Sequence, residues 1–196
     1  MRKFILIAGL LLSSAVMAES GVNFEFERER GTASPNTLNN TVKVSPYYKF
    51  DNGVKADIMF EGNRDDGSVS GNKQPLQNAI EARVQRMYEV YPDLKLGARL
   101  GVGEYFNGVN TSGNSVDFGY YTVEPKASYA LTEKLSALTS WRYRNAFSDT
   151  VNYQTRTWKV GAGYAVTKQD EVEVKYFSKR GDYNTNGVEL EYTRSF

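Results

Sequence analysis

From residue 21 to the end of the chain, apolar and polar side chains alternate almost without interruption. "GVNFEFERER" (21–30) and "GVELEYTRSF" (187–196) show the pattern at its clearest. A period of two sends successive side chains to opposite faces of an extended strand. No stretch shows a convincing helical period, so the chain is read as all-β. Turn signals divide it into ten segments: 21–30, 40–50, 54–62, 79–90, 94–105, 118–131, 135–146, 152–166, 171–180 and 187–196. Each is about as long as a tilted strand needs to cross a bilayer, roughly 9–11 residues.

The two faces differ in an unusual way. One carries Val22, Phe24, Phe26, Val42, Ile58, Phe60, Leu100, Val102, Val160, Val174 and Leu190. The other carries a score of charges. A small soluble barrel fills its interior with apolar side chains, and single-file Val and Ala would supply such a core poorly. The opposite arrangement, apolar outside and charged inside, fits a transmembrane barrel. A mean hydropathy of −0.53 beside 13% aromatic residues agrees with it. The fold expected is an antiparallel, up-and-down transmembrane β-barrel of ten strands, with twelve or eight as the alternatives.

The connections alternate in kind. Four are tight, at 51–53, around Pro92 and Asp93, at 132–134 and at 168–170. Others are longer or richer in Gly, Ser, Asn and Asp, notably 64–78 and 107–117. Short turns at one end and longer loops at the other are the bacterial outer-membrane arrangement. Tyr48, Tyr88, Tyr129 and Tyr164 each precede a tight turn, as a girdle at one interface requires.

Residues 1–18, "MRKFILIAGLLLSSAVMA", read as a secretory signal peptide. Their apolar run is about half the ~18–20 residues of a membrane anchor. Cleavage is expected after Ala18, leaving a single barrel domain over 19–196. Removing Arg2 and Lys3, two of 24 cations set against 23 acids, leaves a nearly neutral chain. That balance gives no reason to expect nucleic acid. Absence of cysteine means that the exported domain is stable without disulfides.

Inward parity separates two charged walls. Glu25, Glu27, Glu173, Glu189 and Glu191 belong to the first, ninth and tenth strands and form an acidic wall. Arg83, Arg99, Lys126, Arg142, Arg144 and Lys159 form a basic wall opposite. The walls either bridge across a narrow interior and fill it, or stand apart across water. Inward glycines at 97, 101, 103, 161 and 163 favour a narrow pore. Arg28, Arg30 and Arg156 fall on the outward face near the loop ends, where cations meet lipid phosphates or leave the membrane altogether. Arg86, outward and about a third of the way up, suggests a bulge or a register error.

The chain has no histidine and no cysteine, which closes His-dependent and Cys-dependent catalysis and most transition-metal sites. Carboxylate pairs such as Glu189 and Glu191 lie on one strand face and read as lumen wall. The "RDDG" at 64–67 lacks the full spacing of a calcium loop. No catalytic residue, metal site or cofactor is expected.

Two stretches carry a family resemblance. "TVKVSPYYKFDNGVKADIMFEG" (41–62) and "YTVEPKASYALTEKLSALTSWRYRNAF" (121–147) resemble the oligogalacturonate-specific porins and their sialic-acid-porin relatives. The resemblance implies a twelve-stranded, monomeric barrel of the Gram-negative outer membrane that passes acidic oligosaccharides along basic lumen residues. Arg142 and Arg144 match that family's Arg-Tyr-Arg strand and are the implied solute contacts. The final strand, with Tyr192 and Phe196, resembles the signal by which outer-membrane clients reach the barrel-assembly machinery.

The expected function is a small channel for passive diffusion of hydrophilic, acidic or sugar-like solutes. The alternative is a closed structural or surface-interaction barrel. Expected partners are outer-membrane lipid and lipopolysaccharide, the assembly machinery, periplasmic chaperones and small hydrophilic solutes.

Overall fold

A computed structural model describes residues 17–32, 38–65, 77–109, 115–148, 151, 153–181 and 184–196. Ten strands follow one another: β1 (Met17–Gly31), β2 (Leu38–Phe50), β3 (Val54–Asp65), β4 (Gln77–Tyr91), β5 (Leu94–Val109), β6 (Ser115–Ala130), β7 (Leu135–Ala146), β8 (Gln154–Ala165), β9 (Asp170–Gly181) and β10 (Thr185–Ser195). Every strand pairs antiparallel with its neighbours, and β1 pairs with β10 to close the barrel. The count is the one that the turn spacing predicts, two fewer than the family resemblance implies. Closure leaves no free sheet edge, which a lipid environment demands of every backbone donor and acceptor.

The side chains confirm the inversion of faces. Phe24, Phe26, Val42, Ile58, Phe60, Leu100, Val102, Val160, Val174 and Leu190 are all between 42% and 59% exposed. Their inward neighbours Glu25, Glu27 and Lys43 are 8%, 3% and 1% exposed. An apolar surface of this extent is the mark of a membrane-facing wall.

The tight turns are built by local chemistry. In the first, Gly53 takes φ +80°, a conformation that side-chain-bearing residues rarely adopt, and its N–H donates to Phe50 O at 2.8 Å. The Asn52 side chain accepts from the Val54 N–H at 3.0 Å. Tyr48, Tyr88, Tyr129 and Tyr164, between 47% and 55% exposed, ring the outside of this end. The C-terminus is tied here too: the Phe196 N–H donates to Ser20 O at 2.8 Å, and the Tyr192 hydroxyl donates to Asp170 at 2.6 Å.

Arg86 needs no bulge. It lies on a regular ladder between Val54 and Ala98, and Val54 is the first residue after the tight turn. The stagger of neighbouring strands therefore lowers Arg86 to the tight-turn interface, and the irregularity falls later, between Glu89 and Tyr91. Arg28, Arg30 and Arg156 are exposed on the outer face, as parity predicts. Most of the expected signal peptide and the tips of the loops at 64–78 and 107–117 lie outside the described residues. β1 already begins at Met17, opposite Phe50.

Candidate functional site

Inside the barrel, the seam between β1 and β10 sets carboxylates against each other. Glu25 is the direct partner of Glu191, and Glu27 of Glu189. Buried like charges at this separation stand only if cations reach them. Three lysines do, from three different strands. Lys43 on β2 pairs with Glu25 and, at 2.6 Å, with Glu27. Lys175 on β9 pairs with Glu173, with Glu189 at 3.0 Å and with Glu191 at 2.7 Å. Lys159 on β8 pairs with Glu189 and approaches Glu27 at 3.4 Å and Glu25 at 3.8 Å. Oxygens of Glu25, Glu27 and Glu189 lie within 4.8 Å of one another, near enough to hold a cation in common. Lys43 and Lys159 supply that positive charge.

Arg83 and Arg99 of the basic wall find partners on neighbouring strands. Arg83 donates to Asp57 at 2.5 Å and to Ser45 at 2.9 Å. Arg99 lies 3.5 Å from Glu124 and donates to Gln85 at 3.1 Å. Most pairs form between nearby strands, and among the described residues Lys159 is the member of the basic set that reaches the acidic one. Lys126 donates to Gln85 at 3.2 Å and makes no ion pair among the described residues.

Arg142 and Arg144 are both buried, at 8% and 3% exposure, but their surroundings differ. Arg144 on β7 reaches Glu81 on β4 at 2.9 Å and Glu61 on β3 at 3.8 Å. It also donates to the Tyr105 hydroxyl at 2.5 Å and stacks over the Tyr120 ring at 4.6 Å. Arg142 makes no ion pair among the described residues, while the Nε atoms of both arginines lack a hydrogen-bond acceptor.

Around Arg144 lies an aromatic layer that the charge pattern did not reveal. Tyr105, Phe118, Tyr120 and Tyr153 form a cluster with ring centroids 5.0–6.5 Å apart. Tyr105 donates to Glu61 at 2.9 Å, and Tyr120 donates to Glu81 at 3.1 Å. Elsewhere in the lumen Met59 and Phe177 are buried too, at 0% and 1% exposure. The sequence signal for the aromatic layer was inward parity: Tyr105 and Tyr120 occupy the same face as the glycines beside them.

Among the described residues the space beside those glycines is filled, where the sequence suggested room for a narrow pore. A Cβ on Gly103 would stand 2.6 Å from the Tyr120 ring, and one on Gly101 would stand 2.1 Å from Glu81. On Gly97 it would meet Met87 and on Gly161 Lys175, each closer than 3 Å. On Gly163 it would meet Ser136 at 2.8 Å. Larger neighbours have already used the space that the missing side chains release.

Open volume remains at the tight-turn end. A cavity of about 260 Å³ is lined by Gln85, Lys95, Arg99, Lys126, Ser128, Glu171 and Glu173, among others. A second, of about 280 Å³, adjoins it at the mouth and shares Lys95, Ser128 and Glu171 with it. Among the described residues the lumen thus holds a water-accessible vestibule below a packed layer of ion pairs and aromatic rings.

Comparison with known proteins agrees with this architecture. The NanC porin superposes with a TM-score of 0.55 at 10% identity, covering 88% of this chain and 98% of that one. The KdgM porin, solved with disordered oligogalacturonate, gives 0.50 at 12% identity, covering 90% and 99%. An outer membrane channel from Pseudomonas putida F1 gives 0.55 at 8% identity, covering 94% and 98%. At such identities the likeness is one of fold. Comparison with curated protein sequences gives no match. The outer membrane protein beta-barrel domain model, however, matches residues 6–165, and with the closed ten-strand barrel and its lipid-facing wall this establishes that the chain belongs to that outer-membrane family.

Proposed function

We propose that the protein is a channel-type outer-membrane barrel whose path for small hydrophilic solutes is occluded at rest. The observation that carries the reading is the Arg144 layer. A side chain rooted on β7 is bonded to carboxylates on β4 and β3, with Tyr105 and Tyr120 packed against it. A ten-strand barrel is little wider than the eight-strand size that side chains fill, so one such layer suffices to stop flow. Solutes entering from the periplasmic, tight-turn end reach the vestibule and stop beneath it. With neither histidine nor cysteine in the chain, we assign it no reaction.

The solute class follows from the charges that ion pairs leave over. Lys126, on the vestibule wall, and the buried Arg142 are the members of the basic set without an ion pair among the described residues, and we assign them to an acidic or sugar-like solute. The acidic set Glu25, Glu27, Glu173, Glu189 and Glu191 serves the closing of the wall. The same reading takes residues 1–18 as a cleaved leader. It makes the protein a monomer, delivered by periplasmic chaperones to the assembly machinery through Tyr192 and Phe196.

Planar-bilayer recording tests the proposal. Wild-type protein is expected to give almost no steady conductance, and Tyr105→Ala/Tyr120→Ala, folded by gel mobility, a resolvable one. Large steady conductance from the wild type would overturn occlusion. A folded double variant that stays silent would favour the second reading, a closed structural or surface-interaction barrel. The density of bonds within the layer supports that alternative.

A further inference from the structure

The outer surface carries a charge asymmetry that the lumen does not explain. Arg28 and Arg30 on β1, Arg156 on β8 and Arg180 on β9 all point away from the lumen and are exposed. They gather at the long-connection end on the contiguous strands β1, β10, β9 and β8. Arg156 and Arg180 are direct cross-strand partners. Like charges so placed repel, yet among the described residues none of the four arginines makes an ion pair. Outward acidic residues at this end, Glu104 and Asp117, sit on β5 and β6, across the barrel.

Two of the arginines are also held in place. Arg180 Nη1 donates to Lys179 O at 2.8 Å, Thr185 O at 3.1 Å and Asn186 Oδ1 at 3.1 Å. Asn186 is in turn the cross-strand partner of Arg30. Arg156 Nη2 donates to Gln154 at 3.3 Å. One step towards the membrane lies an aromatic band: Trp158, 62% exposed, faces Trp141 at 6.3 Å, and Tyr143 is the partner of Arg156. Trp and Tyr at a barrel rim mark the membrane interface. Two residues further along a tilted strand is roughly 5 Å higher, the level of lipid headgroups.

We propose that Arg28, Arg30, Arg156 and Arg180 form a binding site for the phosphates of a phosphorylated glycolipid of the outer leaflet. Guanidinium groups grip phosphate oxygens through paired N–H donors, and a phosphate between Arg156 and Arg180 turns their repulsion into attraction. The site rests on the outer-membrane placement of the barrel and is independent of whether the lumen conducts.

The test uses the full-length chain folded in neutral detergent, with lipid A as the probe. Three comparators are run alongside: dephosphorylated lipid A, phosphatidylglycerol and inorganic phosphate. Lipid A is expected to bind, with affinity falling roughly five-fold for each arginine changed to glutamine. Arg156→Gln/Arg180→Gln should show the loss, and Arg86→Gln, at the opposite interface, should not. Equal binding of the dephosphorylated lipid, which needs no variant to measure, would overturn the proposal. So would equal affinity for phosphatidylglycerol or inorganic phosphate, or a folded four-arginine variant that binds like wild type.

Discussion

Replacing Arg144 and Arg142 separately by methionine separates a paired buried cation from an unpaired one at nearly constant side-chain volume. Arg144→Met removes the contacts to Glu81 at 2.9 Å and Glu61 at 3.8 Å and the donor to Tyr105. Losing one partner of a buried ion pair costs roughly 3–5 kcal/mol, because the remaining charge is stranded. Glu81 keeps donors from Thr122 at 2.5 Å and Tyr120 at 3.1 Å, so the lower end, about 3 kcal/mol, is expected. Arg142→Met removes a buried guanidinium that makes no ion pair among the described residues. Its desolvation penalty disappears with it, and the change should be neutral or stabilising. Urea unfolding of vesicle-folded protein, followed by the fluorescence of Trp141 and Trp158, measures both. Equal losses from the two substitutions, or an Arg144→Met variant as stable as wild type, would refute the pairing argument.

Because the chain lacks cysteine, single-cysteine reactivity maps the water in the lumen cleanly. Ser128→Cys, on the vestibule wall, should react with a membrane-impermeant thiol reagent at least a hundred-fold faster than Thr157→Cys, which replaces a residue 1% exposed; comparable rates would mean water reaches both levels. Gly103→Ala should destabilise by about 1–3 kcal/mol through overpacking against Tyr120. Gly62→Ala, whose new Cβ would meet nothing nearer than 3.7 Å, should stay near wild type in the same urea titration.

The architecture was legible because its signals are local. Alternation, the Asn52-Gly53 turn and tyrosines ahead of each tight turn are written within a few consecutive residues. They give strand number, face and end without any long-range information. Height along the barrel is another matter. It depends on the stagger between strands, which no single segment records. Arg86 therefore looked a third of the way up, yet sits beside Val54 at the turn. For the same reason Arg144 and Glu61, 83 positions apart, gave no hint that they share one level. The glycines misled for a related reason. A missing side chain creates room only if neighbours decline it, and Tyr120, Glu81 and Lys175 do not.

The seam of facing glutamates has a kinetic meaning. Before closure, the edges of β1 and β10 each present a row of carboxylates, Glu25 and Glu27 against Glu189 and Glu191. Two such edges repel, so an unfinished sheet resists zipping early, and two copies resist joining edge to edge. The β1–β2 hairpin brings Lys43, while β8 and β9 bring Lys159 and Lys175. With these flanks in place the repulsion is cancelled. The seam is therefore expected to pair last, once both sides of the sheet are complete.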